Sequence, residues 1–246
     1  STHKPHLPSK HMADRKRAEA LQQLVHHLGQ KIHWTPLDNE LNGKWDALIR
    51  EYPRHNFMDD ITWWPFPDVA VIYDGPDMRL VLGSVKSATE IRNLEPAIKV
   101  DIVVTLNADD KKRRGEPEDW AEHFRSRGVR NLRYGGFDKT RVEPGSEEFQ
   151  TKKQEFLDIW KAMMADLDEV LANKTEKVTI LYHCFGGVNR SAAALCAFLI
   201  GRKKHSAEDA VRALMSARAG QKYWSKRDYF FDALLAVNDL HQDETS

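Results

Sequence analysis

Five residues separate Cys184 from Arg190 in the run His183-Cys184-Phe185-Gly186-Gly187-Val188-Asn189-Arg190-Ser191, and those residue types at that spacing suit phosphoryl chemistry. A cysteine attacks only as its thiolate, and a helix N-terminus or a neighbouring cation lowers a thiol pKa to roughly 3.5–7.5 from about 8.5. An arginine offers a planar fork that meets two oxygens of a bound phosphate, a geometry lysine does not match. Gly186 and Gly187 let the backbone approach closely and adopt φ > 0.

These residues need elements that hold them. Upstream, Val178, Ile180 and Leu181 form an apolar, β-branched run that predicts a buried strand emptying into His183 and Cys184. Downstream, Ser191-Ala-Ala-Ala-Leu-Cys-Ala-Phe-Leu-Ile200 has no polar face, which predicts a helix buried on nearly all sides. A strand, a tight loop and a helix in that order make an anion site, because unpaired N–H groups of the loop and first turn converge where the helix dipole is positive.

This signature resembles that of the cysteine-dependent protein tyrosine phosphatase superfamily: His-Cys, five residues, Arg, then Ser or Thr. It is most similar to the dual-specificity branch, whose catalytic domain would span about Asp68 to Leu240. Asn189 departs from the Ser that many members of that branch carry. The resemblance implies a phosphocysteine intermediate on Cys184, with Arg190 and the loop residues Phe185, Gly186, Gly187, Val188 and Asn189 binding the phosphate. It implies that His183 organises the loop, that Ser191 donates its hydroxyl to the Cys184 sulfur, and that Asp138 is the general acid. Glu143, Glu147 and Glu148 stand close to Asp138 in sequence, and the loop is longer than usual for the family. Asn189 also tolerates a left-handed backbone.

The bland reading is a buried cysteine behind a turn, with Arg190 in an ordinary ion pair. Cys196, inside the apolar helix, has the character of a structural cysteine, and a disulfide between it and Cys184 is disfavoured by the rise of the helix. Rhodanese-type loops usually place four residues between Cys and Arg, and a nucleotide-binding glycine loop needs Gly-Lys-Ser/Thr. The RNA 5′-triphosphatases share the Cys-x5-Arg loop, but a neutral chain carrying Asp138 favours a phosphoprotein phosphatase. A non-catalytic, phosphoprotein-binding pseudophosphatase would typically lack the cysteine or the arginine. The expected substrate is therefore a phosphorylated protein, phosphotyrosine first and phosphoserine or phosphothreonine after it. The five uncharged residues inside the loop argue against inositol phospholipids, with Lys222, Lys226 and Arg227 as candidate rim charges.

Lys+Arg and Asp+Glu are 37 each in 246 residues, so no global field draws the chain to nucleic acid. Two cysteines point to a reducing compartment, cytoplasm or nucleus, and to no disulfide framework. No bilayer-spanning run, signal peptide, cofactor site or metal site is read from the sequence; His3, His6 and His11 read as a solvated tail. The oligomeric state is left open.

The predicted architecture is α/β, a central mostly parallel sheet flanked by helices (the phosphotyrosine phosphatase-like fold), with an N-terminal helical extension over residues 1–67 and the catalytic domain over 68–246. In the extension, Leu21, Leu24, Val25 and Leu28 form one helical stripe, a second helix is predicted at about Asn39 to Tyr52, and Trp34, Trp45, Trp63 and Trp64 are expected to pack on the body. Val69–Tyr73 and Arg79–Leu82 predict a hairpin, Thr89–Leu94 a short helix and Asp101–Leu106 a strand. Asp109–Gly115 reads as a solvated charged loop before a helix near Pro117–Arg127, and Asn131–Tyr134 as a strand. The stripe of Phe149, Phe156, Trp160, Met163 and Leu167 predicts a helix from about Glu147 to Ala172 lying on the sheet. Gly201–His205 reads as a break; Ser206 with Asp209, and Ser225 with Asp228, read as caps for two last helices.

Overall fold

A computed structural model of the chain describes residues 10–31, 69–94, 98–111, 116–135, 142–217 and 229–243. Outside them lie the predicted helix at Asn39–Tyr52, the four extension tryptophans, Asp138, the rim candidates Lys222, Lys226 and Arg227, and the Ser225–Asp228 cap.

The elements, in chain order, are α1 (Lys10–Lys31), β1 (Val69–Asp74), β2 (Met78–Gly83), α2 (Val85–Thr89), a 3-10 turn (Ile91–Leu94), β3 (Ile102–Thr105), α3 (Trp120–Arg125), β4 (Arg130–Arg133), α4 (Glu147–Leu171), β5 (Val178–His183), α5 (Arg190–Lys203), α6 (Ala207–Ala217) and α7 (Tyr229–Asp243). The short helix expected at Thr89–Leu94 is thus a 3-10 turn, and a separate α-helical turn, α2, precedes it. Ser84 starts α2, its side chain accepting from the Lys86 N–H at 3.1 Å.

The five strands form one sheet in the order β1-β2-β5-β3-β4, antiparallel only at β1/β2. Along β1, β2, β3 and β5 both faces are largely buried, which is why those strands read as nearly continuous apolar runs, whereas the edge strand β4 (Arg-Asn-Leu-Arg) buries Leu132 alone. Period-two alternation splits them. Leu80, Leu82, Ile102, Val104, Ile180 and Tyr182 enter the larger core under the C-terminal helices, while Val81, Val103 and Leu181 enter the smaller one with Ala88, Ile91 and Phe124.

Helix α5 lies in the larger core with every residue from Ser191 to Ile200 buried, as its all-apolar surface requires. The long α4, expected on the sheet, packs chiefly on α7 and α5, because α5 already covers that part of the sheet. The break read over Gly201–His205 falls at Lys204 and not at Gly201. A Cβ there would lie 2.8 Å from the Trp160 ring, so the glycine is a close-packing point between α5 and α4, and the helix ends instead at Lys204 in a left-handed conformation (φ 61°, ψ 25°). Ser206 accepts from the Asp209 N–H and donates to its carboxylate, opening α6 as the cap predicted. Helix α1 packs on α6 and α7, burying Ala18, Leu21 and Val25. Its bidentate Arg17–Asp239 pair sits at 41% and 45% side-chain exposure and adds at most about 1 kcal/mol, so apolar burial is what seats the helix. Among the described residues no helix is long and apolar enough to cross a membrane.

Candidate active site

Strand β5 is the middle strand of the sheet, flanked by β2 and β3, so the loop that follows it is flanked by the loops that follow those two strands. This is the C-terminal crevice at which open α/β sheets gather their binding groups. From the β2 side, the Val85 N–H donates to the Phe185 carbonyl at 3.0 Å; from the β3 side, the Leu106 N–H donates to the His183 carbonyl at 2.9 Å. The loop from Cys184 to Arg190 is therefore tied down at its start by both neighbours. Positive φ falls on Gly187 (64°) and not on Gly186, so only the second glycine is required by its backbone conformation.

Cys184 lies at the loop's base, 4% exposed, as a free thiol. Burial alone would push its pKa up, but the Arg190 charge, the Ser191 hydroxyl and the backbone N–H groups of Ser191 and Gly187 outweigh it and hold the thiol below its ordinary range. The Ser191 hydroxyl donates to the Cys184 sulfur at 3.2 Å. Cys196 shows the contrast. It is fully buried, its thiol faces only the Ala210 carbonyl at 3.7 Å, and burial pushes its pKa up with nothing to oppose it. A thiol of the first kind is suited to attack as a thiolate; one of the second kind is packing.

Asn189 is the N-cap of α5 at φ −109°, ψ −74°, and its side chain makes no capping bond. The left-handed conformation considered from the sequence is not adopted. Phe185 is half-buried, and Gly186, Gly187 and Val188 are buried.

In the charged loop read as solvated surface, Asp109 and Lys111 are exposed and residues 112–115 lie outside the described ones, so the correction is Asp110. Asp110 reaches across from the end of β3 and holds the Arg190 guanidinium with both oxygens, at 2.7 and 2.8 Å. The Arg190 side chain is 12% exposed and Asp110 29%. Burial alone would lower the Arg190 pKa, but the bond to Asp110 and the charges of Cys184, Asp110 and Asp109 carry it upward, so the guanidinium is always charged beside the sulfur. The signal available was topological: once β3 and β5 are neighbours in a parallel sheet, the residues just after each meet. The carboxylate has a signed effect. It offsets part of the Arg190 charge that favours the thiolate, so in Asp110→Asn the ionisation of Cys184 is expected to move to lower pH. The pH dependence of Cys184 alkylation by iodoacetamide measures this; a shift to higher pH would contradict the electrostatic role given to Asp110.

Glu147 and Glu148 stand on the first turn of α4, capped by Ser146, and are exposed, as is Glu143. No group of three or more His, Cys, Asp or Glu side chains suited to a metal ion occurs among the described residues. His183 is fully buried among Thr105, whose hydroxyl lies 2.8 Å from its Nε2, and Trp120, whose ring centroid lies 5.7 Å from its own. Neither neighbour was singled out from the sequence.

With this geometry established, comparison with protein-family models gives the class. The catalytic domain of the dual specificity phosphatases matches residues 81–239, well over half of the chain. The protein belongs to that family, which supports phosphatase activity for it in general terms. Among solved structures, that of PTPMT1 is similar at 19% identity over 72% of this chain and 98% of that one, with a TM-score of 0.48. Human DUSP28 is similar at 21% identity over 72% and 96%, TM-score 0.45, and PTPMT1 in complex with PI(5)P at 17% over 73% and 99%, TM-score 0.45. No curated protein matches the chain.

Proposed function

We propose that the protein is a phosphoprotein phosphatase that hydrolyses phosphomonoesters through a phosphocysteine on Cys184, phosphotyrosine being the preferred group and phosphoserine or phosphothreonine a secondary one. The observation that carries this reading is the Cys184 thiol, held below its ordinary pKa inside a buried loop by Arg190, Ser191 and the Gly187 N–H. Burial without a use for the thiolate would give the opposite shift, as at Cys196.

In this reading the phosphate seats over the 184–190 loop, with Arg190 and the loop N–H groups on its non-bridging oxygens. The Cys184 sulfur attacks phosphorus in line with the ester oxygen; the P–O bond breaks as the S–P bond forms, and Asp138 gives its proton to the departing oxygen. Asp138, now a carboxylate, takes a proton from water, whose oxygen displaces the sulfur and releases inorganic phosphate. The reaction draws on no metal ion. The protein would work in the cytoplasm or nucleus, where a thiolate stays reduced.

Loop chemistry supports phosphoprotein over lipid. Phe185, Gly186, Gly187, Val188 and Asn189 carry no charge with which to meet the additional phosphates of an inositol headgroup. The expected result is a higher kcat/KM on a phosphotyrosine peptide than on a soluble phosphatidylinositol phosphate. A clear preference for the lipid would overturn the substrate assignment and leave the chemistry of Cys184 standing.

A further inference from the structure

Behind the loop, three side chains from three strands form a chain of hydrogen bonds that ends on the Cys184 peptide. Asn131 of β4 places its Nδ2 3.1 Å from the Val103 carbonyl and 2.9 Å from the Thr105 Oγ1. The Thr105 Oγ1, on β3, lies 2.8 Å from the His183 Nε2. The His183 Nδ1, on β5, lies 3.4 Å from the Cys184 carbonyl. Thr105 and His183 are register neighbours, as are Val103 and Asn131, so the pleat puts all three side chains on one face. Thr105 is 2% exposed and His183 0%.

Proton positions in this chain follow from its two ends. The Val103 carbonyl only accepts, so Asn131 must turn its NH2 group toward it. That assignment leaves the Asn131 Oδ1 buried with no partner among the described residues, and a flip would set that oxygen against the Val103 carbonyl and lose the bond there. The second amide proton then points at the Thr105 oxygen. Thr105 accepts there, and its own proton is left for the His183 Nε2. At the far end the Cys184 carbonyl also only accepts, so the ring proton of His183 sits on Nδ1. Each group donates in the same direction, and none is asked to donate a proton it lacks.

We propose that Asn131 and Thr105 are positioning residues, a one-way donor chain that holds His183 as the neutral Nδ1–H tautomer and through it orients the Cys184 peptide at the base of the phosphate loop. This rests on the nucleophilic role of Cys184 proposed above. It goes beyond that role in naming what fixes the histidine. The electrostatics around the ring agree. Burial is the largest cause holding the His183 pKa down, to about 3; the Cys184 carbonyl opposes it, and Arg133 from β4 and Arg190 from α5 reinforce it to a lesser degree. The α3 side contributes the uncharged Trp120 ring. With Nε2 occupied as an acceptor and two guanidinium groups nearby, a second proton has no place on the ring, so Cys184 titrates without a coupled partner at His183.

The test reads the tautomer directly. In the full-length chain, 15N NMR of the His183 ring, assigned by difference against His183→Asn, is expected to show a protonated Nδ1 and a bare Nε2 throughout the range in which Cys184 ionises. Thr105→Val removes the donor at constant shape and is expected to lose that fixed signature and to lower kcat/KM on the order of tenfold to a hundredfold, chiefly through kcat; Thr105→Ser restores both. Asn131→Asp turns the Thr105 hydroxyl toward the new carboxylate, so Nε2 must carry a proton, and the pH profile of Cys184 alkylation by iodoacetamide gains a second step. A wild-type ring protonated on Nε2 overturns the proposal, and so does a Thr105→Val chain with unchanged tautomer and alkylation profile. The wild-type spectrum decides even if a variant fails to fold. Tautomer and alkylation are read without turnover, so an inactive protein with the expected tautomer would refute the phosphatase reading alone, and an active one with the wrong tautomer would refute the donor chain alone.

Discussion

Cys184→Ser is expected to abolish phosphomonoester turnover, by on the order of 10⁴- to 10⁶-fold, while the wild-type activity survives EDTA. The physical reason is the ionisation state. Arg190, the Ser191 hydroxyl and two backbone N–H groups lower the thiol's pKa against the cost of burial and so favour the thiolate, whereas an alcohol starts so far above neutrality that the same groups leave it protonated. The substitution leaves Arg190, its Asp110 partner and the loop N–H groups as they are, so phosphate binding is expected to persist. The variant should therefore hold phosphorylated substrates without releasing them and retain them from a lysate. Turnover at the wild-type rate in Cys184→Ser, or a strict requirement for an added divalent metal, would rule out the phosphocysteine route.

The next largest effect is expected at Asp138. A phenoxide or alkoxide leaving oxygen is strongly basic, and protonating it in the transition state is worth about 10²- to 10⁴-fold. A substrate that releases an already acidic phenol needs little of that help. Asp138→Asn is therefore expected to slow hydrolysis of a phosphotyrosine peptide by that factor and of an activated aryl phosphate far less, where phosphocysteine formation limits the rate. The variant is also expected to lose the alkaline limb of the pH–rate profile. The acid must be protonated and Cys184 ionised at once, so activity falls at high pH only while the acid is present. Glu143, Glu147 and Glu148 are the internal controls, since all three are exposed near the start of α4. If one of them, changed to Gln, reproduced the leaving-group dependence and Asp138→Asn did not, that glutamate would be the acid.

Legibility followed the range of the interaction. A strand in which all six residues are buried, then a helix buried from Ser191 to Ile200, can be read locally, because a segment with no polar face has only the interior to occupy. The bond from Ser191 to the Cys184 sulfur was available from the family signature, since both partners belong to one loop and one helical turn. The cap at Ser206 was available for the same reason, its two residues being three apart. The chain alone determined, then, a thiol, an arginine and a tight loop delivered by a strand and a helix to one point.

What it left undetermined are the partners that arrive from other strands. Asp110 reads as one more charge in a run of six, and becomes the clamp on Arg190 only because β3 lies beside β5. Thr105 and Asn131 look like ordinary strand residues until register sets them next to His183 and Val103. The long helix was legible as a helix, yet its seat on α7 and α5 was not, because an apolar stripe states that a face is buried and not against what. Hydrophobic burial is non-directional and roughly proportional to area, so local pattern specifies which residues go inside. Which charged and hydrogen-bonding groups meet there depends on strand order and register, and those are properties of the assembled sheet.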